Sequence, residues 1–551
     1  MFDFFNKLGA RTKDVLFLLF FMFCCGIFGM LAGQDLNWDI LNYHLYIPHA
    51  FLNGRFYTDV MPAGIHTFLN PLLDVPYYLM VRYLNDWPEL IAFIQGTTSG
   101  VLIFVVYKIC LLFLKESEGN MQAGLAALLG LTGSMGLSQL GLATNEVPMA
   151  VMLVTSFYWL MKFFFVSPRS LSLVFWSAFV AGAAGGLKYT GAPFVLALTV
   201  VFFINLRWSE KPFKTFLIFA GAGILGFLIT NGYFVWRLWS EYQNPVFPFY
   251  NEIFKSPYFE NINFDEYRFY PRFVAQWLFY PFYWIFNSRW VVSECVVSDP
   301  RMAMGYISFF VLLVVMLCKK IPFMYNKRMF ASLLAYVAVG YFIWLHTYSI
   351  LRYIVTIEVL CGILIMASIR VFTRYRVAAV LGTLIVLCFW NLTEYPNWGR
   401  DAFSQKAVEM QDLPKIEDNS MVVYFGQPMA FMSMFFKKDT KFVGGIKFPV
   451  SKYPFFYRAK AVQRNPLPKM YYEYRMDDKI KQAIASHDGP IYIVAVPWDM
   501  MLSPITLAPY GLQGDLKDCV PFNANINLYS AGWNLCKVSH LSDSASDSKT
   551  K

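Results

Sequence analysis

Eleven apolar runs, most of them about the length that crosses a lipid bilayer, leave this chain few folds to choose from. They lie at roughly 15–34, 88–114, 121–140, 146–166, 171–187, 190–206, 214–238, 304–318, 329–346, 350–369 and 375–391. A helix needs about 20 mostly apolar residues to span the hydrocarbon core. Inside lipid the backbone must satisfy its own polar groups, so each run is expected to be helical. Composition agrees: 57% of the residues are hydrophobic and 15% charged, against about 25% charged in soluble domains. The expected fold is a polytopic α-helical membrane protein of about eleven spans, with its first helix retained.

The net charge of +10 does not point to nucleic acid, because the basic residues sit in short loops between apolar runs. One set of loops carries Lys115, Arg169, Arg207, Lys211, Lys214, Lys319, Lys320, Lys327, Arg328, Arg370, Arg374 and Arg376. Placing that set in the cytoplasm lets every loop alternate from a cytoplasmic N-terminus. An odd number of spans then puts the C-terminal region outside. Of nine Cys, Cys24, Cys25, Cys110, Cys318, Cys361 and Cys388 lie in apolar runs and Cys295 in a polar loop. Cys519 and Cys536 lie in the tail, where a disulfide would fit an oxidising compartment.

Three non-cytoplasmic segments are long. In the first, 35–87, Pro71, Asp74 and Pro76 interrupt the apolar stretch 68–80, which is expected to lie as a helix at the interface. The second, 241–303, is rich in aromatic residues, and 273–286 is expected to be a second interfacial or re-entrant helix. The third begins near Thr393, where charges and turn residues return. Met421–Phe425 and Pro490–Val496 read as buried strands and Lys479–Ser486 as a helix, so 393–541 is expected to be a small α/β domain. Residues 542–551 are polar and expected to be disordered. The membrane domain is expected to cover 1–392.

In this topology the unusual polar residues share the outer boundary: Asp35, Asp39 and His44 after the first span, Asn145 and Glu146 before the fourth, Lys188 before the sixth, and Arg352 and Tyr353 before the tenth. Ionisable groups near bilayer depth are costly and usually face a cavity or a partner. A carboxylate there can act as a general base. Lys188 and Arg352 can hold a phosphate. Asp35, Glu146 and His44 can support these groups or a divalent metal such as Mg or Mn. Each residue also has a plainer use. Asp39 suits an N-cap near Ile40. Glu146 suits a helix start. Lys188 can snorkel to headgroups. Arg352 can pair with Glu358. His44, His49 and His66 can make ordinary polar contacts.

Taken in order, these residues resemble the GT-C superfamily of integral-membrane glycosyltransferases, which includes protein O-mannosyltransferases and the aminoarabinose transferases of lipid A. The resemblance rests on Asp39-Ile-Leu-Asn-Tyr-His44 after the first span, Thr144-Asn-Glu-Val-Pro148 opening the fourth, Gly185-Gly-Leu-Lys-Tyr-Thr-Gly191, and Leu351-Arg-Tyr-Ile-Val355. Gln243–Pro257 is similar to an outer loop of bacterial members. The match covers roughly 15–391. Family members more often carry Asp where Glu146 stands. The resemblance implies an inverting transfer from a polyprenyl-phosphate sugar donor to a glycan, lipid or protein acceptor, outside a bacterial inner membrane. Asp39 would be the base, and Lys188, Arg352 and Tyr353 would sit at the donor phosphate. Two other readings stay open. An O-antigen ligase or polymerase would act through Arg268, Arg272 and Arg289. A transporter or flippase of lipid-linked glycans would use no base.

Overall fold

The computed structural model describes residues 9–117, 119–263, 267–286, 288–318, 321–445, 475–496, 504–527 and 532–541. The disorder expected for 542–551 lies outside the described residues. Eight helices among those described are long and apolar enough to cross a membrane: Arg11–Leu31, Pro88–Leu114, Glu146–Phe165, Tyr189–Leu206, Pro212–Tyr242, Lys327–Thr347, Leu351–Phe372 and Tyr375–Leu392. Met121–Leu131, Leu171–Leu187 and Arg301–Leu317 are shorter apolar helices. Each of the eleven expected runs therefore contains a helix, and among the described residues eight of these helices have spanning length.

The chain divides into two compact units. The membrane unit comprises the described residues of Met1–Gly33, Ala92–Tyr233 and Asp265–Trp398. Its centre is Leu351–Phe372, whose apolar window is 83% buried, against 17% for Arg11–Leu31. Helix Met121–Leu131 lies directly on it. A Cβ on Gly362 would come within 1.9 Å of the Ala126 carbonyl oxygen, and one on Gly130 within 2.2 Å of the Val359 carbonyl oxygen. Only glycine lets two backbones approach so closely, as is common between membrane helices.

The expected span 121–140 breaks. The helix stops at Leu131 and a short one restarts at Ser134–Ser138. The cause is a buried polar network. Asp299 accepts from the Ser134 N–H at 2.7 Å, and Glu358 accepts from the N–H groups of Met135 (3.0 Å) and Gly136 (2.7 Å). These are donors that a helix start leaves unsatisfied. Arg301 holds Asp299 at 2.9 Å and reaches Leu129 O, Thr132 Oγ1 and Thr393 Oγ1. The second outer segment accordingly ends before Arg301, not at Ala303, because Arg301 opens a helix and is wholly buried.

The second unit, called the outer unit only because the sequence leads one to expect most of its segments outside, comprises the described residues of Gln34–Ile91, Phe234–Phe264 and Gly399–Lys551. The tail is therefore not a body of its own, and the segment 241–303 is shared: its first part belongs here and 267–303 to the membrane unit. The unit's strands are β1 (Met410–Gln411), β2 (Met421–Phe425), β3 (Lys441–Val443), β4 (Ile491–Ala495), β5 (Leu512–Gln513), β6 (Cys519–Ala524) and β7 (Trp533–His540). They form one sheet in the order β1-β6-β7-β4-β2-β3, with β5 on β7. β3, β2 and β4 are parallel and the rest antiparallel. All five residues of β2 and of β4 are buried, as expected of parallel strands covered on both faces. Helix Arg475–Ala485 precedes β4 and buries Met476, Ile480 and Ile484, one turn apart. Cys519 and Cys536, opposite each other on β6 and β7, form a disulfide.

The first outer segment completes this sheet. Val60 pairs with the β3 edge, donating to Phe442 O at 2.9 Å and accepting from Gly444 N at 2.8 Å. Val60, Met61, Phe68, Leu238 and Tyr242 share a core with Val423, Phe425, Val443 and Ile493. Arg55 grips Asp59 with two 2.9 Å bonds and donates to Lys438 O and Thr440 O. The Phe442 N–H (3.2 Å) and the Tyr46 hydroxyl (3.0 Å) donate to the same carboxylate. Burial pushes the Asp59 carboxyl above its usual range, and the Arg55 fork, the Phe442 N–H and the Tyr46 hydroxyl pull it back. The two helices expected at the interface are shorter than expected. In 68–80 the α-helix begins only at Val75, and in the membrane unit 273–286 is a six-residue helix, Val274–Phe279, followed by a 3-10 turn.

Arg55 is 7% and Asp59 8% exposed, so Arg55→Ala leaves a buried carboxylate without the Arg55 charge and its two-pronged bond. It should cost about 3–5 kcal/mol. Lys537→Ala, which removes the exposed pair with Glu417, should cost less than about 1 kcal/mol. Thermal unfolding of the detergent-solubilised protein checks both; equal losses would mean that the Arg55 fork does not tie the first segment to β3.

Candidate functional site

Two polar constellations stand out, one in each unit. In the membrane unit Glu146 opens its helix, where a negative charge suits the dipole. Helix Leu171–Leu187 ends at Lys188, whose extended backbone separates it from the turn Tyr189–Gly191. The 3-10 turn Leu351–Ile354 carries Arg352 and Tyr353. These breaks bring four of the expected residues together. Lys188 Nζ donates to Glu146 Oε1 at 2.5 Å. The Lys188 ammonium lies 5.6 Å, and the Arg352 guanidinium 5.2 Å, from the centre of the Tyr353 ring. Arg352 Nη2 also donates to the Tyr353 hydroxyl at 3.2 Å.

The turns are held from outside. The Tyr348 hydroxyl donates to Tyr189 O at 3.0 Å, and Asn231 donates to the Tyr189 hydroxyl at 3.1 Å. Gln139 donates to Arg352 O at 3.4 Å, and the Leu351 N–H to Val292 O at 2.8 Å. Beside the charges is a narrow cavity of about 10 Å³, with Met149, Leu153, Gly191 and Phe194 on its apolar side and Glu146 and Tyr353 on its polar side. That is room for about one water.

Several plain uses of these residues fall away. The Lys188 side chain is 20% exposed and bound to a Glu146 side chain that is 4% exposed, so it does not snorkel. Glu358 does not pair with Arg352, because both its oxygens accept from the start of the Ser134–Ser138 helix. Lys188 and Arg352 thus share the Tyr353 ring, and an ammonium and a guanidinium fork are groups that can contact a phosphate.

In the outer unit, Ile40–His44 forms a π-helix, a rare element that recurs at functional sites. Asp39 makes no capping bond. The cap is Asn37, whose Oδ1 accepts from the Ile40 N–H at 3.0 Å, while Asp35 Oδ1 accepts from Asn37 N and Nδ2. Asp39 is 9% exposed. Asp35 also acts on Arg400, whose guanidinium burial pulls down and the Asp35 charge pushes up. His44 Nδ1 is 2.6 Å from Asp74 Oδ1, both side chains being almost fully buried. His49 Nδ1 is 3.0 Å from the Tyr78 hydroxyl, and His66 Nδ1 is 3.2 Å from Asn42 Nδ2. Tyr43 stacks on His66 at 4.8 Å. Among the described residues no three His, Cys, Asp or Glu converge as a metal site.

Asp35, Asp39 and His44 thus belong to one unit, and Glu146, Lys188, Arg352 and Tyr353 to the other. Sequence reasoning missed Asp74, which it took for a helix interruption, and the Asp299–Arg301–Glu358 network. A lone Glu358 inside an apolar run was the signal for the latter. The Arg residues of the ligase reading are placed otherwise: Arg268 and Arg289 both lie near the Trp290 ring, each at 5.7 Å.

No family model matches the chain, and no curated protein matches it. Among solved structures, the chain is similar to ArnT from Cupriavidus metallidurans, whose crystal structure contains undecaprenyl phosphate. Identity is 14% over 69% of this chain, with a TM-score of 0.44. The match spans 64% of the ArnT chain.

The outer constellation carries a pH dependence. Burial, then the charges of Arg55 and Arg82, lower His49 to about 4 from 6.5. The folded protein keeps this imidazole neutral while the unfolded chain protonates it. Its stabilisation is complete above pH 6.5 and is lost as pH falls towards 4, up to about 3 kcal/mol. Unfolding midpoints at pH 7 and pH 4.5 should differ less for His49→Gln than for the parent; an equal difference would show that His49 is protonated in the folded state.

Proposed function

We propose that the chain is a membrane glycosyltransferase of GT-C type that moves a sugar from a polyprenyl-phosphate-linked donor to an acceptor on the outer side of a bacterial inner membrane. The observation that carries this reading is the convergence of Lys188 and Arg352 on Tyr353, with Glu146 orienting Lys188. Two cations gathered at the ends of apolar helices suit a phosphate on a lipid tail. The donor proposed is of the class found bound to ArnT.

The reaction is a direct displacement with inversion. The acceptor oxygen attacks the anomeric carbon, and the Asp39 carboxylate takes its proton. The bond from that carbon to the phosphate oxygen breaks, and its electron pair leaves with the lipid phosphate. The negative charge that develops there is met by the Lys188 ammonium and the Arg352 fork. Interactions that strengthen as charge develops accelerate the step. Glu146 keeps Lys188 in place. The acceptor is a glycan, lipid or protein, and the sheet of the outer unit provides a surface for it. Basic loops on the opposite side and the Cys519–Cys536 disulfide support a cytoplasmic N-terminus and a periplasmic outer unit.

A glycan-profile complementation assay tests this, with variants matched to the parent for membrane insertion. Removing a general base typically costs 10²–10⁴-fold in rate, so Asp39→Asn should fail to restore the envelope glycan that the parent restores. Lys188→Gln should fail as well. Full rescue by Asp39→Asn together with failure of an Arg289→Gln variant would favour the ligase reading. Rescue by all three would favour a transporter of lipid-linked glycans.

A further inference from the structure

At the opposite ends of the membrane helices, two arginines meet on one indole. Arg207 follows helix Ala192–Leu206, and its guanidinium carbon lies 3.8 Å from the centre of the Trp208 ring. Arg328, in the first turn of helix Lys327–Thr347, lies 4.7 Å from the same ring and 4.7 Å from that of Phe165. Among the described residues neither guanidinium has a carboxylate partner. Glu210, the acid nearest in sequence, pairs with Arg169 at 3.2 Å. Arg328 spends one donor on Phe164 O, a carbonyl at the end of helix Glu146–Phe165; among the described residues no side-chain hydrogen bond engages Arg207.

A rule that places positive charge in loops explains why basic residues are here. It does not explain why two of them are stacked on one ring, since like charges in contact repel. An anion shared between them removes that cost. The surroundings specify what carries the anion. Trp208 is 42% exposed, and Phe203, Ile204 and Phe213, within five residues of it in the chain, are 53%, 41% and 75% exposed. Exposed apolar side chains next to a tryptophan and paired arginines match the headgroup boundary of a bilayer.

We propose that Arg207, Trp208 and Arg328 form a binding site for the phosphodiester headgroup of an anionic phospholipid, with its acyl chains along Phe203 and Ile204. The two forks hold the phosphate oxygens, and the indole keeps both guanidiniums in place. The site is distinct from the Lys188–Arg352 cluster and does not depend on the reading of that cluster.

Native mass spectrometry of the full chain in detergent tests this, with added phosphatidylglycerol, phosphatidylcholine or inorganic phosphate. The parent should retain phosphatidylglycerol in preference to phosphatidylcholine, and millimolar phosphate should not displace it. Arg207→Gln/Arg328→Gln should weaken phosphatidylglycerol binding about thirtyfold, taking about fivefold per lost charge. Lys211→Gln/Lys214→Gln, which removes the same charge nearby, should change it less than about fivefold. Arg207→Lys/Arg328→Lys keeps the loop charge needed for insertion and should still weaken binding several-fold, because an ammonium does not form the fork. The proposal is overturned if the two lipids bind alike, if phosphate displaces the lipid, if the Lys211/Lys214 variant loses as much as the Gln pair, or if the Lys pair binds like the parent.

Discussion

Glu358 is wholly buried in the most enclosed helix of the membrane unit, and its two oxygens accept backbone N–H groups from Met135 and Gly136. A carboxylate so placed costs several kcal/mol unless it is answered. The answer here is structural. Glu358 and Asp299 together start the short helix after Thr132, and Arg301 ties Asp299 to Leu129 and to Thr132 and Thr393. Gln139, on the same turn of chain, holds the carbonyl of Arg352. The loop that leads to Glu146 and the turn that carries Arg352 and Tyr353 are therefore fixed by one set of buried charges. The Glu146–Lys188 pair obeys the same rule: each partner keeps the other from being a lone charge in apolar surroundings.

The outer unit uses buried charge differently. Arg55 and Asp59 join the first outer segment to β3, so residues separated by almost four hundred positions form one core. The pairing of Val60 with β3 also covers a strand edge that would otherwise stay open. Within this frame His44 and Asp74 form a buried pair, and Asp39 stands at the start of a π-helix without serving as its cap.

The helices were legible because apolar length is a local property, and β2 and β4 because buried parallel strands read as unbroken hydrophobic runs. The break at Thr132 was not legible. It depends on Asp299 and Glu358, more than 160 residues away. The capping role passed from Asp39 to Asn37 because the turn begins two residues earlier than the apolar pattern indicates. Strands β3, β6 and β7 were missed for a similar reason: they are short or alternate with polar residues, and the sheet rather than the local pattern selects them. Of the candidate site, the grouping of Glu146, Lys188, Arg352 and Tyr353 followed from their shared position at helix ends. The contacts that orient them, from Tyr348, Asn231 and Gln139, arise only in the folded chain.

The central claim is that Lys188 and Arg352 hold a lipid phosphate, and binding of undecaprenyl phosphate to the purified protein measures it most directly. The account predicts that Lys188→Gln/Arg352→Gln binds this lipid at least about a hundredfold more weakly than the parent, two charge-assisted contacts being worth about 1.5 kcal/mol each or more. Undecaprenol, which lacks the phosphate, should bind parent and variant alike. Equal affinity of parent and variant for undecaprenyl phosphate would contradict the account.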